Sequence, residues 1–430
     1  MDFRIILPIA VTAFGTFLLF KLRFFFLTSP FRIAKETVKG CREGRGFRGL
    51  CLSLAGTLGV GNIVGVALGI CVGGAGSVFW LVLSSLFAMV LKYGEGTLAA
   101  DCARCGHGGM GYVIESSFLR SGRLLSRTYA FLCLLLAFFM GCALQGATAV
   151  GFLADTFNFK STTVVPVLIF LLLPVFLKGA GSVERFTAVI IPLTTIIYIF
   201  LCVSAIFVNF HRFPDALRSV LSGAFCTEGA AGGFLGFISS SALREGYARG
   251  LLSNEAGAGT SSYAHSVTTS HCCTAGLFGM SEVVFDTLVL CPLTAFAILV
   301  SPVSSESAVG LVMGSVGAVF GELSSVLLTA SVFSFAYSTL ICWYFYGAEA
   351  LHFLLGRTPL WFLPLYLLFV ILGGVCAVEA FVGVSDLILL FLTLISSSSL
   401  IKSSDRLKRL SEDFGIISRR CRGKRTLPPR

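Results

Sequence analysis

The sequence predicts an all-α polytopic membrane protein of about eleven transmembrane helices, arranged as two five-helix halves of opposite sense behind one extra N-terminal helix. Three observations carry this. Of the 430 residues 56% are hydrophobic and 13% are charged, about half the charged share of a soluble domain. The apolar stretches are long and unbroken, without the alternation of an outer-membrane barrel. Glycine interrupts two of these stretches, at corresponding places in the two halves.

Apolar runs fall at roughly 3–22, 48–72, 76–99, 127–153, 162–178, 185–208, 229–247, 274–300, 323–354, 359–376 and 380–401. Residues 1–47 hold the extra helix and a basic loop, 48–210 the first repeat, 211–401 the second, and 402–430 a basic tail. The first run lacks a basic start and a small-residue cleavage site, so it is not expected to be a cleaved signal. With the N-terminus outside, 28 of the 32 Lys and Arg residues fall on the inner side. That asymmetry predicts a cytoplasmic-membrane protein with N-terminus out and C-terminus in. It also explains the net charge of +10 without a nucleic-acid partner; the basic tail is expected to be solvated or to lie on the lipid surface. The fifteen cysteines are scattered, many within apolar runs, and behave there as small hydrophobes.

The second run contains GTLGVGNIVG, Gly56 to Gly65, in which four of ten residues are glycine. Each such glycine costs a helix about 1 kcal/mol relative to alanine. The Gly61–Gly65 pair suits close helix packing. Asn62 and Thr57, polar and amid apolar residues, favour an unwound segment that lines a cavity. The seventh run repeats the pattern in EGAAGGFLGFISSSALREG, Glu228 to Gly246, with Ser239 to Ser241 midway. Paired interrupted helices point to a secondary transporter with inverted repeats. A half-helix starting near Asn62 would offer N–H groups to a carboxylate. Carbonyls freed around Ala55 to Gly59 would suit Na⁺ or an ammonium group, so a small zwitterion fits both ends.

These residues resemble the sodium:alanine symporter family, the alanine or glycine:cation symporters. The resemblance rests on GTLGVGNIVGVALGICVGGAGSVFW (Gly56 to Trp80), ARGLLSNEAGAGTSSYAHS (Ala248 to Ser266) and FSFAYSTLICWYFYGAEALHFLLG (Phe333 to Gly356), in register from about residue 45 to 400. It implies the leucine-transporter fold and symport of alanine, glycine or D-alanine with Na⁺ by alternating access. Within the Thr57 to Asn62 segment, Thr57, Gly59, Gly61 and Asn62 would hold the substrate, with Gln145, Thr339 and Trp343 lining the pocket. Phe234 and Phe237, in the glycine-rich start of span seven, are further candidate contacts. Ala55 and Leu58 carbonyls, with Phe335, Ser338 and Thr339 at i, i+3 and i+4, would form an oxygen-lined Na⁺ site. The family's GGPMYYIE reads HGGMGYVIE here (His107 to Glu115), the asparagine often found before its glutamine is Cys142, and its SAPIAH is TSSYAH (Thr260 to His265).

Asp286 and Glu282, one turn apart in an apolar run, are functional candidates or partners of a basic group. Lys92 and Glu95 read as an interfacial pair, and Arg244 and Arg249 as partners of Glu255 at an inner gate. Cys102, Cys105 and His107, and likewise His271, Cys272 and Cys273, fall short of the four ligands of a closed zinc site. No nucleophile–base pair, P-loop or dinucleotide fingerprint is present, so neither an enzyme nor an ATP-driven pump is expected, and no organic cofactor. The expected partners are a small amino acid and membrane lipid, with the protein a monomer. Alternatives are a proton-coupled carrier using Asp286, or a non-transporting membrane sensor of the same fold.

Overall fold

Apolar runs of this length leave backbone groups no water to bond, so helix is the only spanning form open to them. The computed structural model describes residues 5–43, 46–104, 106–118, 121–178, 180–225, 240–268, 271–305 and 307–417. Among these there are helices and one isolated bridge, Arg104 with His107, and no strand. In order the α-helices of seven or more residues are α1 (Ile6–Lys21), α2 (Pro30–Arg42), α3 (Gly46–Thr57), α4 (Val66–Gly73), α5 (Gly76–Asp101), α6 (Met110–Ser117), α7 (Gly122–Phe138) and α8 (Gln145–Phe157). There follow α9 (Ser161–Lys178), α10 (Ala180–Val208), α11 (Phe213–Ala224), α12 (Ser241–Asn254), α13 (Ser262–Thr268), α14 (Cys272–Val283), α15 (Cys291–Val300) and α16 (Ala308–Ser315). The described helices close with α17 (Glu322–Leu355), α18 (Phe362–Val375), α19 (Glu379–Lys402) and α20 (Ser404–Asp413).

Six of these units are long and apolar enough to cross a membrane: α5, α7 with α8, α10, α14 with α15, α17 and α19. The pair α3 and α4 passes the same test with a 48° bend between its halves. Three shorter apolar helices lie at Ile6–Lys21, Thr162–Leu177 and Phe362–Val375. Short π-helical turns join α3 to α4 (Gly61–Gly65), α7 to α8 (Phe139–Leu144) and α14 to α15 (Val284–Leu290). A wide turn of this kind inserts one residue into a helix and often marks a functional place.

α5 is central, and glycine sets how closely its neighbours approach. A Cβ at Gly96 would lie 2.7 Å from the Ala275 carbonyl oxygen, so α14 runs backbone to backbone along α5. α10 has the opposite character: Val189, Ile196, Phe200 and Phe207 are exposed, a face suited to lipid.

The tail differs from expectation as far as Ile417. α20 is amphipathic and docks under the bundle, with Leu407 and Ser411 fully buried. Tyr93 Oη lies 2.8 Å from Ser411 Oγ, and Lys21 pairs with Asp405 at 2.6 Å. Leucine at one-turn spacing gives this stretch an apolar face that its charge masks in the sequence.

Candidate functional site

α3 ends where Gly59 sends its N–H to the side chain of Asn62, at 3.3 Å to Oδ1, instead of to the Ala55 carbonyl four residues back. The last regular bond is Leu58 N–H to Leu54 O, at 2.6 Å. Asn62 therefore ends the ladder, and the glycine beside it makes the turn possible.

The freed oxygens face α17. Thr339 Oγ1 lies 2.8 Å from Ala55 O, 3.3 Å from Leu58 O and 2.8 Å from Phe335 O. Ser338 Oγ lies 2.9 Å from both Ser334 O and Phe335 O. The Trp343 indole N–H donates to Gly56 O at 3.2 Å, and the Cys342 thiol to Leu52 O at 3.1 Å. A hydroxyl has one proton to give, so Thr339 can satisfy only one of its three carbonyls at a time. The cluster is rich in acceptors, poor in protons and fully buried.

Gln145 stands on the other side of the break. Its Nε2 reaches Met140 O at 3.5 Å, while its buried Oε1 has no hydrogen-bond partner among the described residues. A Cβ on Gly59 would lie 2.9 Å from Thr339 Oγ1 and 3.1 Å from Gln145 Oε1, so Gly59, Thr339 and Gln145 converge. Two candidates of the same segment point elsewhere. The Thr57 hydroxyl turns back to Ser53 O and Leu54 O, each at 3.5 Å. A Cβ on Gly61 would lie 2.7 Å from Ser253 Cα, so this glycine lets α12 close on the broken span. Phe234 and Phe237 lie outside the described residues.

Sequence reasoning left the partner of Asn62 unidentified. Its Nδ2 donates to the Asp286 carboxylate and, at 3.3 Å, to the Asp286 carbonyl. The same carboxylate accepts from Ser253 at 2.5 Å and Thr287 at 2.8 Å. Asp286 thus ties the broken span to α12 and the π-turn through neutral donors, without a basic partner in direct contact among the described residues.

Two expected pairings are corrected. Lys92 is not an interfacial partner of Glu95: it is buried and pairs with Glu282 at 3.2 Å. A Cβ on Gly279 would lie 2.9 Å from the Lys92 carbonyl, so α14 comes close enough to bring Glu282 to the ammonium. Glu282 also binds His265, whose Nε2 is 3.0 Å from Ser53 Oγ. Arg249 does not hold Glu255; it pairs with Glu245 at 3.3 Å and Asp386 at 2.6 Å. One helical turn brings Glu245 beside it, and α19 delivers Asp386. Glu255 instead accepts from Thr260.

His107 bonds Glu349 at 2.9 Å and stacks on the His352 ring at 3.7 Å between centroids; Cys105 lies outside the described residues. His271, Cys272 and Cys273 keep their ligand atoms within 4.8 Å of one another, but His271 Nδ1 already caps α14 by accepting the Cys273 N–H at 3.1 Å.

The sequence profile of the sodium:alanine symporter family matches residues 2–419. An uncharacterized transporter of Bacillus subtilis, YflA, is 30% identical over 95% of this chain and 90% of its own length. The probable sodium/glutamine symporter GlnT of the same organism is 30% identical over 81% of this chain and 74% of its own. The sodium/alanine symporter AgcS of Methanococcus maripaludis is 28% identical over 72% of this chain and 70% of its own. Among solved structures, a manganese transporter of Eremococcus coleocola aligns with a TM-score of 0.49 at 17% identity, over 83% of this chain and 75% of that one. With the profile running almost end to end, the chain belongs to the sodium:alanine symporter family and is a multi-pass membrane transporter that couples an amino acid to a cation.

Proposed function

We propose that the protein is a Na⁺-coupled symporter of a small neutral amino acid (alanine, glycine or D-alanine) that works by alternating access. The observation that carries this reading is the oxygen cluster at the helix break. Ala55 O, Leu58 O, Phe335 O, Ser338 Oγ and Thr339 Oγ1 are hard, neutral ligands. They suit a monovalent alkali cation, because a divalent ion sheds its water only for carboxylates or more numerous oxygens. Gln145 Oε1, lacking a hydrogen-bond partner among the described residues beside Gly59, suits a substrate ammonium. The half-helix that starts after Gly59 suits the carboxylate. Thr57, Asn62 and Trp343 frame the same break, with Asn62 and Trp343 holding its geometry. We further read the chain as eleven spans, the last ten forming two inverted five-helix repeats, with N-terminus out and C-terminus in.

Uptake into proteoliposomes tests the reading. Labelled alanine and glycine are offered with an inward Na⁺ gradient or an equal K⁺ gradient. Accumulation with Na⁺ alone is expected. Equal accumulation in both removes Na⁺ from the mechanism, and uptake of neither amino acid removes the substrate assignment.

A further inference from the structure

The Na⁺ reading makes no use of the most heavily charged part of the interior. Lys92 on α5 is the hub. Its ammonium binds Glu282 at 3.2 Å and donates to Ser261 at 2.7 Å, and it lies within electrostatic reach of Glu95, Glu255 and Asp286. His265 faces Glu282 from α13. All six groups are at most 1% exposed. Four carboxylates thus surround one lysine, and Glu282 takes up most of what that lysine offers. An isolated carboxylate in such a place is costly enough that it is neutralised in practice.

Two of the four lack adequate partners. Glu255 Oε2 accepts from Thr260, while Oε1 has no hydrogen bond among the described residues. Neither oxygen of Glu95 has one of ordinary geometry, although the backbone N–H groups of Gly257 and Gly259 face it. The wall opposite is also unsaturated: Thr393, Ser396 and Ser397 on α19 have buried hydroxyls without partners among the described residues. Gly257 brings that wall close, since a Cβ there would be 3.2 Å from Ser397 Oγ. Other titratable groups facing the cluster are Tyr129 and Cys133 from α7, Cys342 and Tyr346 from α17, and Cys291 beside Asp286. None of them supplies a positive charge.

The carrier segment is also built to turn. Glu255 is a non-glycine residue at φ +53°, followed by Gly257 at +88° and Gly259 at +79°. Glu95 lies six residues from the end of α5, about 9 Å along the helix. The cluster therefore sits near one face of the membrane. Its member Glu282 is one turn from Asp286, which holds Asn62.

We propose that the Lys92 cluster is a proton-binding site, with Glu255 as the group that takes up and releases the proton at the end of the bundle where α5 finishes. The proton comes from hydronium or buffer on that side and adds to Oε1. It leaves by the same route, and no bond other than O–H forms or breaks. The site is separate from the oxygen cluster at Thr339 and stands whether or not Na⁺ is the coupling ion.

Infrared difference spectroscopy of the purified full chain tests this without any transport step. The wild type is expected to show a protonated-carboxyl stretch at neutral pH that shifts in heavy water. Glu255→Gln is expected to lose one carboxyl's share of that band. Asp405→Asn, whose carboxyl is exposed beside Lys21, leaves it unchanged. A band of wild-type intensity in Glu255→Gln overturns the proposal, whatever Glu95→Gln shows. Should neither variant fold, the wild type decides: a stretch that titrates across the neutral range supports the site, and its absence overturns it.

Discussion

Thr339→Val is the sharpest perturbation of the helix break, because valine keeps the shape and removes only the hydroxyl. In the wild type that hydroxyl lies within 3.3 Å of three carbonyl oxygens, of which Ala55 O has lost its helical donor to the Gly59–Asn62 contact. Leaving a buried acceptor unsatisfied costs about 1–3 kcal/mol, so thermal unfolding in K⁺ should fall by that amount. Na⁺ adds a second effect. An ion that binds only the folded state stabilises it by about 2.7 kcal/mol at a hundredfold excess over its dissociation constant. Removing one of the five proposed ligand oxygens should weaken binding by about tenfold, equivalent to about 1.4 kcal/mol. The assay is thermal unfolding across a Na⁺ titration, paired with the Na⁺ concentration for half-maximal uptake. Both should move together in Thr339→Val, and less in Ser338→Ala, whose hydroxyl contacts only carbonyls of its own helix. A variant that loses stability in K⁺ yet keeps the wild-type Na⁺ response would refute the ion-site assignment and leave Thr339 as a helix clamp.

Gly59→Ala places a methyl carbon 2.9 Å from Thr339 Oγ1; overpacking of this kind costs about 1–3 kcal/mol, and uptake should fail while size-exclusion behaviour stays normal. Asn62→Ala and Asp286→Ala each cut the same contact, so double-mutant analysis of substrate affinity should give a coupling of about 0.5–3 kcal/mol; strict additivity would mean that the contact does not serve the site. Lys92→Met strands Glu282 in the interior at a cost of about 3–5 kcal/mol, and adding Glu282→Gln should restore most of the lost melting temperature; no recovery would show that the pair is not the main partner of either group.

The break between α3 and α4 is legible in the sequence because dense glycine and a lone asparagine weaken an apolar helix unless that helix is meant to open there. The oxygens on α17 are legible through the family resemblance, and the helical spacing of Phe335, Ser338 and Thr339 then puts them on one face. Partners far apart in sequence are not. Asn62 meets Asp286 across 224 residues, and nothing local to either residue names the other. Spacing alone makes Glu95 the partner of Lys92, because they are three apart on one helix. The glycine contact between α5 and α14 decides otherwise, and such a contact shows only when both helices are placed. Arg249 escapes local reading for the same reason, since Asp386 arrives on α19. Hydropathy ends the seventh span at residue 247, whereas helix runs on to Asn254; its Arg, Glu, Ser and Asn residues hide a buried segment whose polar groups bond to other helices.

The ladder between the broken span and α17 sets an energy scale for the cycle. Thr339, Cys342 and Trp343 each donate to a carbonyl of the broken span, and Tyr346 Oη would lie 3.0 Å from a Cβ on Gly56. Net of water, hydrogen bonds of this kind contribute about 1 kcal/mol each, so separating the two helices costs a few kcal/mol. Moving one charge down a 100 mV potential supplies about 2.3 kcal/mol. The two magnitudes are comparable, which is the condition for one ion to bias the contact without locking it. Were Na⁺ to bind among these oxygens, as proposed, it would add positive charge beyond the single proton of Thr339 and would draw the helices together. Its departure would return the cluster to a single shared proton and would loosen them. The acceptor excess at Thr339 is therefore the feature that would let ion occupancy govern helix separation. A fully satisfied hydrogen-bond network at that position would hold the helices equally well with or without the ion.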